Sequence, residues 1–356
     1  EICEGLVGSE MCIRDSEEIA DLINNVRAVN KSLNRNIAVL ADLQGPKLRI
    51  GDVENGKVKL VKNKELLITT KKCISTNERL YISYTKFPKD VKKGEKILVD
   101  DGKLLLKVIS TNKKDTVKAK VVQGGILSSK KGVNLPNTKV SLPSLSRKDI
   151  KDLDFAMKNK VDWVGLSFVR SANDIKELKK RILKYGGTKR VGIVAKIEKP
   201  EAVKDIDNII AETNALMVAR GDLGVEVKMQ EVPTIQKMLV EKCLVASKPV
   251  IIATHMMESM ITAINPTRAE VNDVANSVLD GADAVMLSAE TSVGKHPSTV
   301  VETMSNIIEH VEETSYKYYR NAAIPNDVAS DLYISNSLCY SASKIAGRTK
   351  SSAIIT

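Results

Sequence analysis

Six short apolar runs in this chain stop abruptly at charged or hydroxyl side chains, and amphipathic stretches separate them. Three of the run ends are Ala195-Lys196-Ile197-Glu198, Ala219-Arg220-Gly221-Asp222 and Leu287-Ser288-Ala289-Glu290. The same pattern occurs at Ala41-Asp42, Leu166-Ser167 and Ala253-Thr254. Parallel strands packed on both faces read as continuous apolar runs, and in closed barrels the reactive groups collect at the strand C-terminal ends. The pattern therefore predicts a (β/α)8 barrel of TIM type, with function at its mouth.

The periodicity predicts helices over 17–30, 146–159, 173–185, 201–212, 232–246, 269–279 and 298–319. Strands are predicted at 37–40, 162–168, 191–197, 215–219, 249–253 and 284–288. That is six barrel strands, two short of closure. Ser146 with Asp149 reads as a helix start. Between Gly51 and Pro136 the rhythm changes to short alternating runs split by turns such as Asn55-Gly56, Asp101-Gly102 and Gly124-Gly125, the signature of an inserted small all-β domain.

The chain has 356 residues and a net charge of +11. Between Asp52 and Lys139, 20 lysines and Arg79 face nine acidic residues, so this segment holds a surplus of 12 and the remainder nets −1. The surplus reads either as a solvated face or as a positive lid that attracts phosphorylated substrates. Few aromatics and no nucleic-acid motif accompany it, so no nucleic-acid partner is expected. No run reaches the length of a membrane span. Five scattered cysteines without a close pair favour a reducing compartment.

Lys196 and Glu198 are two apart on a strand and share a face. They read as a rim ion pair or as part of a reaction centre. Asp222 lies just beyond the next strand, in a glycine-containing turn. Two carboxylates with few other protein ligands suit Mg2+ or Mn2+, which keeps waters and takes substrate oxygens. Lys196 beside such an ion would neutralise a phosphoryl group in transfer.

Eight segments resemble the pyruvate kinase family in order and spacing: Asp42-Leu-Gln-Gly-Pro-Lys-Leu-Arg49, Val99-Asp-Asp-Gly102, Gly132-Val-Asn-Leu-Pro136, Ala195-Lys-Ile-Glu198, Met217 to Glu226, Ala253 to Met260, Pro266 to Glu270 and Met286 to Thr291. The resemblance runs from about residue 17 to 356. It implies a barrel over 17–50 and 138–320, an inserted β-barrel lid domain over 51–137, and the start of a C-terminal α/β domain over 321–356. It implies phosphoryl transfer from phosphoenolpyruvate to ADP, giving pyruvate and ATP, in a cytoplasmic homotetramer. A barrel lyase or aldolase, or a non-catalytic basic binding protein, is the alternative reading.

Carried over residue by residue, the resemblance makes Glu198 and Asp222 the metal ligands and Lys196 the group that stabilises the phosphoryl and the enolate. Gly221 and Asp222, with Thr254, become the cradle of the pyruvate carboxylate, and Thr254 lies near the face where the enolate is protonated. Ser167 and Phe168 resemble the wall supporting Lys196. Arg49, also a catalytic candidate, and Lys148 resemble nucleotide-phosphate contacts, and Asp101 belongs to the closing lid. Lys47 stands where potassium-dependent relatives carry glutamate. Leu43 and Gln44 also fit the potassium-independent variant of that motif, and Lys47 with Asp42 is taken as the substitute for the monovalent cation, so K+ is not expected to be required.

Three departures stand out. His255 replaces the usual glutamine, and Ala289 the usual glycine. The expected Arg-x-Asn-Phe-Ser-His-Gly segment is absent before Glu17. Residues 1–16 read as an artefact, with Leu6 to Ser16 resembling a translated sequencing adapter. The chain reads as truncated at both ends, the apolar Ser351–Thr356 stopping mid-strand, and is expected to be inactive alone.

Overall fold

A computed structural model of the chain describes residues 6–7, 16–138, 140–186, 191–314 and 333–349. Residues 8–15 of the adapter-like stretch and Ser351–Thr356 lie outside the described residues. The chain opens with β1 (Leu6–Val7), α1 (Ser16–Leu33) and β2 (Leu40–Leu43). The strand expected over 37–40 starts three residues later. Asn30 holds Ile37 through both its amide atoms, and the Asp162 carboxylate takes the Val39 N–H. Ladder pairing therefore begins only at Leu40, opposite Trp163.

Next comes the β-rich segment: β3 (Leu48–Arg49), β4 (Lys57–Leu60), β5 (Glu65–Thr69), β6 (Arg79–Tyr81), the short α2 (Phe87–Asp90), β7 (Lys96–Val99), β8 (Leu104–Thr111), β9 (Thr116–Gln123), β10 (Gly125–Ser128) and β11 (Gly132–Asn134). Its main sheet has the order β3-β11-β7-β8-β9-β5-β6, and β10 pairs with β4. Alternation does the sorting. In β9, Val117, Ala119 and Val121 are buried while Lys118 and Lys120 are exposed. The inward residues join Leu80, Phe87 and Leu106 in a core of their own.

The βα rhythm then resumes. α3 (Arg147–Lys158) leads to β12 (Trp163–Leu166), α4 (Ala172–Leu183) to β13 (Gly192–Ile197), and α5 (Pro200–Lys204) with α6 (Ile206–Glu212) to β14 (Ala215–Ala219). After α7 (Arg220–Glu226) and α8 (Val232–Val245) comes β15 (Val250–Ala253). α9 (Arg268–Asp280) precedes β16 (Ala284–Leu287), followed by α10 (Ala289–Ser292), α11 (Pro297–Thr314) and α12 (Tyr333–Thr349). Ser146 caps α3 in a full capping box with Asp149.

Two expectations change here. The helix expected over 201–212 is broken at Asp205, whose carboxylate accepts from the Ala172 N–H at the start of α4 and from Asn208. The short α7 and the 17-residue α12 had no counterpart among the expected helices.

The strands form one parallel sheet in the order β1-β16-β15-β14-β13-β12-β2. This is an α/β fold, an incomplete TIM-type barrel. Among the described residues it has seven strands rather than the six expected, because Leu6–Val7 pairs with Met286–Leu287. Successive residues in each strand alternate between two cores. In β14, Leu216 and Val218 pack outward under the helices, while Ala215 and Met217 pack inward with Val194, Ile251 and Ala253. No helix among the described residues is long and apolar enough to cross a membrane.

Candidate active site

Alternation places the chemistry. In β13, Ile193, Ala195 and Ile197 belong to the outer core and Val194 to the inner one. Lys196 and Glu198 continue the inward file of Val194 to the strand's C-terminal end. In β2, Ala41 and Leu43 pack outward and Leu40 inward, so Asp42 also points in. The Lys196 ammonium lies 2.7 Å from Asp42 Oδ2 and 3.5 Å from Glu198 Oε1. Glu198 is 1% exposed and Lys196 8%.

Burial by itself disfavours the Lys196 ammonium, but Glu198 and Asp42 outweigh it and hold the group above its ordinary value. Glu198 behaves differently. Burial pushes its carboxyl up to about 7; Lys196 opposes the rise, and the Asp222 charge adds to it. Its other oxygen, Oε2, accepts the Phe168 N–H at 2.6 Å.

The next two strand ends supply Asp222 and Thr254. Lys47 Nζ is 3.4 Å from Asp222 Oδ1. Thr254 Oγ1 accepts the Gly221 N–H at 2.7 Å and donates to the Ala253 carbonyl, also at 2.7 Å. Phe168, Thr254 and His255 all have left-handed backbones, with φ of 55°, 71° and 56°. For such residues this conformation costs about 1–3 kcal/mol each and tends to cluster at functional sites. Nothing in the residue types signalled it.

The remaining expected residues divide. Ser167 and Phe168 pack on Gly45, where a Cβ would sit 2.9 Å from Phe168 Cδ2. The Phe168 N–H also donates to Glu198 Oε2, which tethers this wall to the carboxylate beside Lys196. Arg49 on β3 donates to the Lys130 carbonyl at 3.1 Å. Lys148 pairs with Asp152 one turn along α3. Asp101 is exposed at the β7–β8 turn, and the adjacent Gly102 faces Val225 of α7. His255 is exposed and lies 3.4 Å from Glu258. Ala289 opens α10, and its neighbour Glu290 is buried, accepting the Ser288 and Met257 N–H groups.

Sequence reasoning missed two groups. Arg220 spans the ends of β14 and β15, donating to the Thr254 carbonyl and to Asp273. Glu226, 5% exposed, accepts both Lys199 Nζ at 2.6 Å and the Asn134 amide at 2.8 Å on one oxygen. It thereby joins β11 of the inserted sheet to the barrel. Glu226 lay inside a quoted motif, but neither partner is at a spacing that a helix or strand period reveals.

Three carboxylates (Asp42, Glu198, Asp222) thus meet two ammonium groups (Lys196, Lys47), a cluster with one excess negative charge once Glu198 is ionised. Among the described residues no cluster of three or more His, Cys, Asp or Glu is arranged as a metal cage. A divalent ion here would rely on two carboxylates, with the rest of its shell from water and substrate, which is how Mg2+ is commonly held. The excess charge and the reluctant ionisation of Glu198 fit such an ion.

A family model described as the barrel domain of pyruvate kinase matches residues 12–301. The chain belongs to the pyruvate kinase family. Curated pyruvate kinases resemble it over most of its length. That of Mycobacterium intracellulare is 48% identical over 290 residues, covering 82% of this chain and 61% of the relative. That of Corynebacterium glutamicum is 48% identical over 287 residues, covering 81% and 60%. That of Geobacillus stearothermophilus is 42% identical over 300 residues, covering 84% and 51%. The chain therefore spans between half and two thirds of these pyruvate kinases. Membership disfavours the lyase and the basic binding protein. The match to pyruvate kinase also spans the inserted sheet and every strand-end residue described above.

Proposed function

We propose that this chain carries the active-site barrel of an enzyme that transfers the phosphoryl group of phosphoenolpyruvate to ADP, the pyruvate- and ATP-forming step of glycolysis in the cytoplasm. The observation that carries the reading is the buried Lys196 ammonium wedged between Asp42 and Glu198, with Asp222 across the mouth. An oxygen of the ADP β-phosphate attacks phosphorus, the bond from phosphorus to the enol oxygen breaks, and the enolate takes a proton at carbon. The need throughout is to neutralise charge on oxygens in line.

Glu198 and Asp222 would hold a Mg2+ or Mn2+ ion, which supplies charge neutralisation at the phosphoryl and enolate oxygens. Lys196 supplies a fixed cation at the same place, already desolvated and aimed by Asp42. The Gly221 and Asp222 N–H groups and the Thr254 hydroxyl receive the substrate carboxylate. Thr254 also lies near the carbon that is protonated. Ser167 and Phe168 form the wall that supports Lys196, with the Phe168 N–H held by Glu198.

Lys47, beside Asp222, takes the place of a potassium ion, with Asp42 the nearby carboxylate that would otherwise face it, so K+ is not required. Arg49 and Lys148 meet the nucleotide phosphates, Lys148 leaving Asp152 to do so. Asp101 rides on the lid turn. The inserted domain, over 51–137, acts as that lid between barrel segments 17–50 and 138–320, with 321–356 opening a further domain. The assembled protein is a homotetramer and takes no nucleic acid.

The test is ADP-dependent pyruvate formation by the product of the full-length gene, measured by coupling to lactate formation, for the parent, Lys196→Met and Asp222→Ala. Both substitutions should remove most turnover, and Asp222→Ala should also weaken Mn2+ binding. A parent that forms no pyruvate, or an Asp222→Ala variant with normal metal affinity and rate, would refute the reading.

A further inference from the structure

Thr254 and His255 are consecutive residues in the left-handed region, and Thr254 is β-branched. A β-branched residue does not hold that conformation unless its surroundings impose it. Two contacts grip Thr254 from opposite sides. Its hydroxyl accepts the Gly221 N–H, and its carbonyl accepts Arg220 Nη2 at 2.8 Å. The same guanidinium reaches the Ala253 carbonyl through Nε at 3.4 Å and the Met256 sulfur through Nη2. Behind it, Asp273 on α9 takes Nη1 at 2.7 Å, and Gln236 on α8 lies 3.4 Å from the same nitrogen. The rigid fork of arginine is suited to meeting several acceptors at once, and lysine cannot reproduce it.

The Thr254 hydroxyl has both of its roles filled locally, because it accepts from Gly221 and donates to Ala253. An incoming carboxylate would take over the Gly221 N–H and receive the hydroxyl proton instead. That exchange is a rotation about one side-chain bond, and it works only if the Thr254 backbone stays in place. We propose that Arg220 is a positioning residue: braced by Asp273, it locks the Thr254 backbone so that the hydroxyl can give up Gly221 and turn its proton from the Ala253 carbonyl to a bound carboxylate. The identity of that carboxylate, the substrate's own, rests on the function proposed above.

The experiment titrates oxalate, a small dicarboxylate probe, into the gene product in the presence of Mg2+. Steady-state kinetics with phosphoenolpyruvate, thermal unfolding and Mn2+ affinity are measured alongside. Arg220→Lys keeps the charge but loses the fork. It should weaken oxalate binding and raise the KM for phosphoenolpyruvate by about tenfold, the loss expected for a misplaced hydrogen-bonding group. Thermal midpoint and Mn2+ affinity should stay near the parent's. Asp273→Asn, which loosens the brace, should move the same two quantities in the same direction by less.

Unchanged oxalate binding and KM in both variants would overturn the proposal. So would a proportionate loss of Mn2+ affinity and thermal stability, which would make Arg220 a general strut. If Arg220→Lys does not fold, Asp273→Asn decides by the same criteria. A parent that binds no oxalate removes the anion role of Thr254 and the proposal with it. A parent that binds oxalate yet forms no pyruvate refutes only the proposed activity, and the Arg220 inference is still decided by the titrations.

Discussion

The Lys196–Asp42 ion pair, 2.7 Å long, joins two strands that are not neighbours, β13 and β2. β12 runs between them, and its residue in register with Asp42 is Gly165. A Cβ on Gly165 would lie 2.9 Å from Asp42 Oδ1 and 3.6 Å from its Cα. The pair therefore crosses the intervening strand through the space that a glycine leaves open.

Gly165→Ala should push Asp42 aside and loosen Lys196. Overpacking of this kind costs about 1–3 kcal/mol, read as a lowered denaturant midpoint, with reduced turnover. The cost should largely vanish in an Asp42→Ala background, where nothing occupies the space. An equal cost in both backgrounds would place the clash elsewhere.

Glu198 sets a pH dependence. Its folded-state carboxyl, at about 7, lies above its ordinary value of 4.5. Between those values the unfolded chain releases the proton and the folded one keeps it, so stability falls as pH rises through the window and levels off above it. A divalent ion binds the ionised form, so its affinity should run the other way. Mn2+ titrations should show binding that tightens from pH 5.5 to about 7 and then flattens. A flat profile across that range would rule out Glu198 as a ligand.

What was legible in the sequence follows the range of the signal. Lys196 and Glu198 could be paired because strand parity needs only two residues of context. Ser146 and Asp149 could be paired as a cap for the same reason. Asp42 was visible as a run end, but its bond to Lys196 crosses a strand and depends on a glycine more than 120 positions along. The break at Asp205 was hidden because its carboxylate serves a different helix. The left-handed Thr254 runs against the preference of its own residue type, so tertiary contacts had to impose it. Arg49 and Lys148 entered by resemblance alone, and the contacts they make here are with Lys130 and Asp152.

Lys47 makes the potassium question testable. Its ammonium is 3.4 Å from Asp222 Oδ1, within reach of an anionic substrate at the mouth. Turnover should proceed in buffers whose only monovalent cation is tetramethylammonium. Lys47→Ala should slow turnover by removing the fixed charge. A large activation of the parent by K+ at constant ionic strength would refute the substitution of lysine for the ion.

The tie between the inserted sheet and the barrel gives a further prediction. Glu226 Oε1 accepts from Lys199 of the barrel and Asn134 of β11, and the Glu226 side chain is 1% exposed. Lys199 also sits over the Phe168 ring, 5.7 Å from its centroid, beside the N–H that holds Glu198. Removing one partner of a buried pair strands the other charge, at a cost of about 3–5 kcal/mol. Glu226→Ala should therefore destabilise strongly and expose the 135–142 connection to limited proteolysis. Glu226→Gln keeps an acceptor for Asn134 but not the charge for Lys199, so it should protect that connection while still losing stability. Equal cleavage in the two variants would mean that the charge pair, rather than the Asn134 bond, holds the inserted sheet against the barrel.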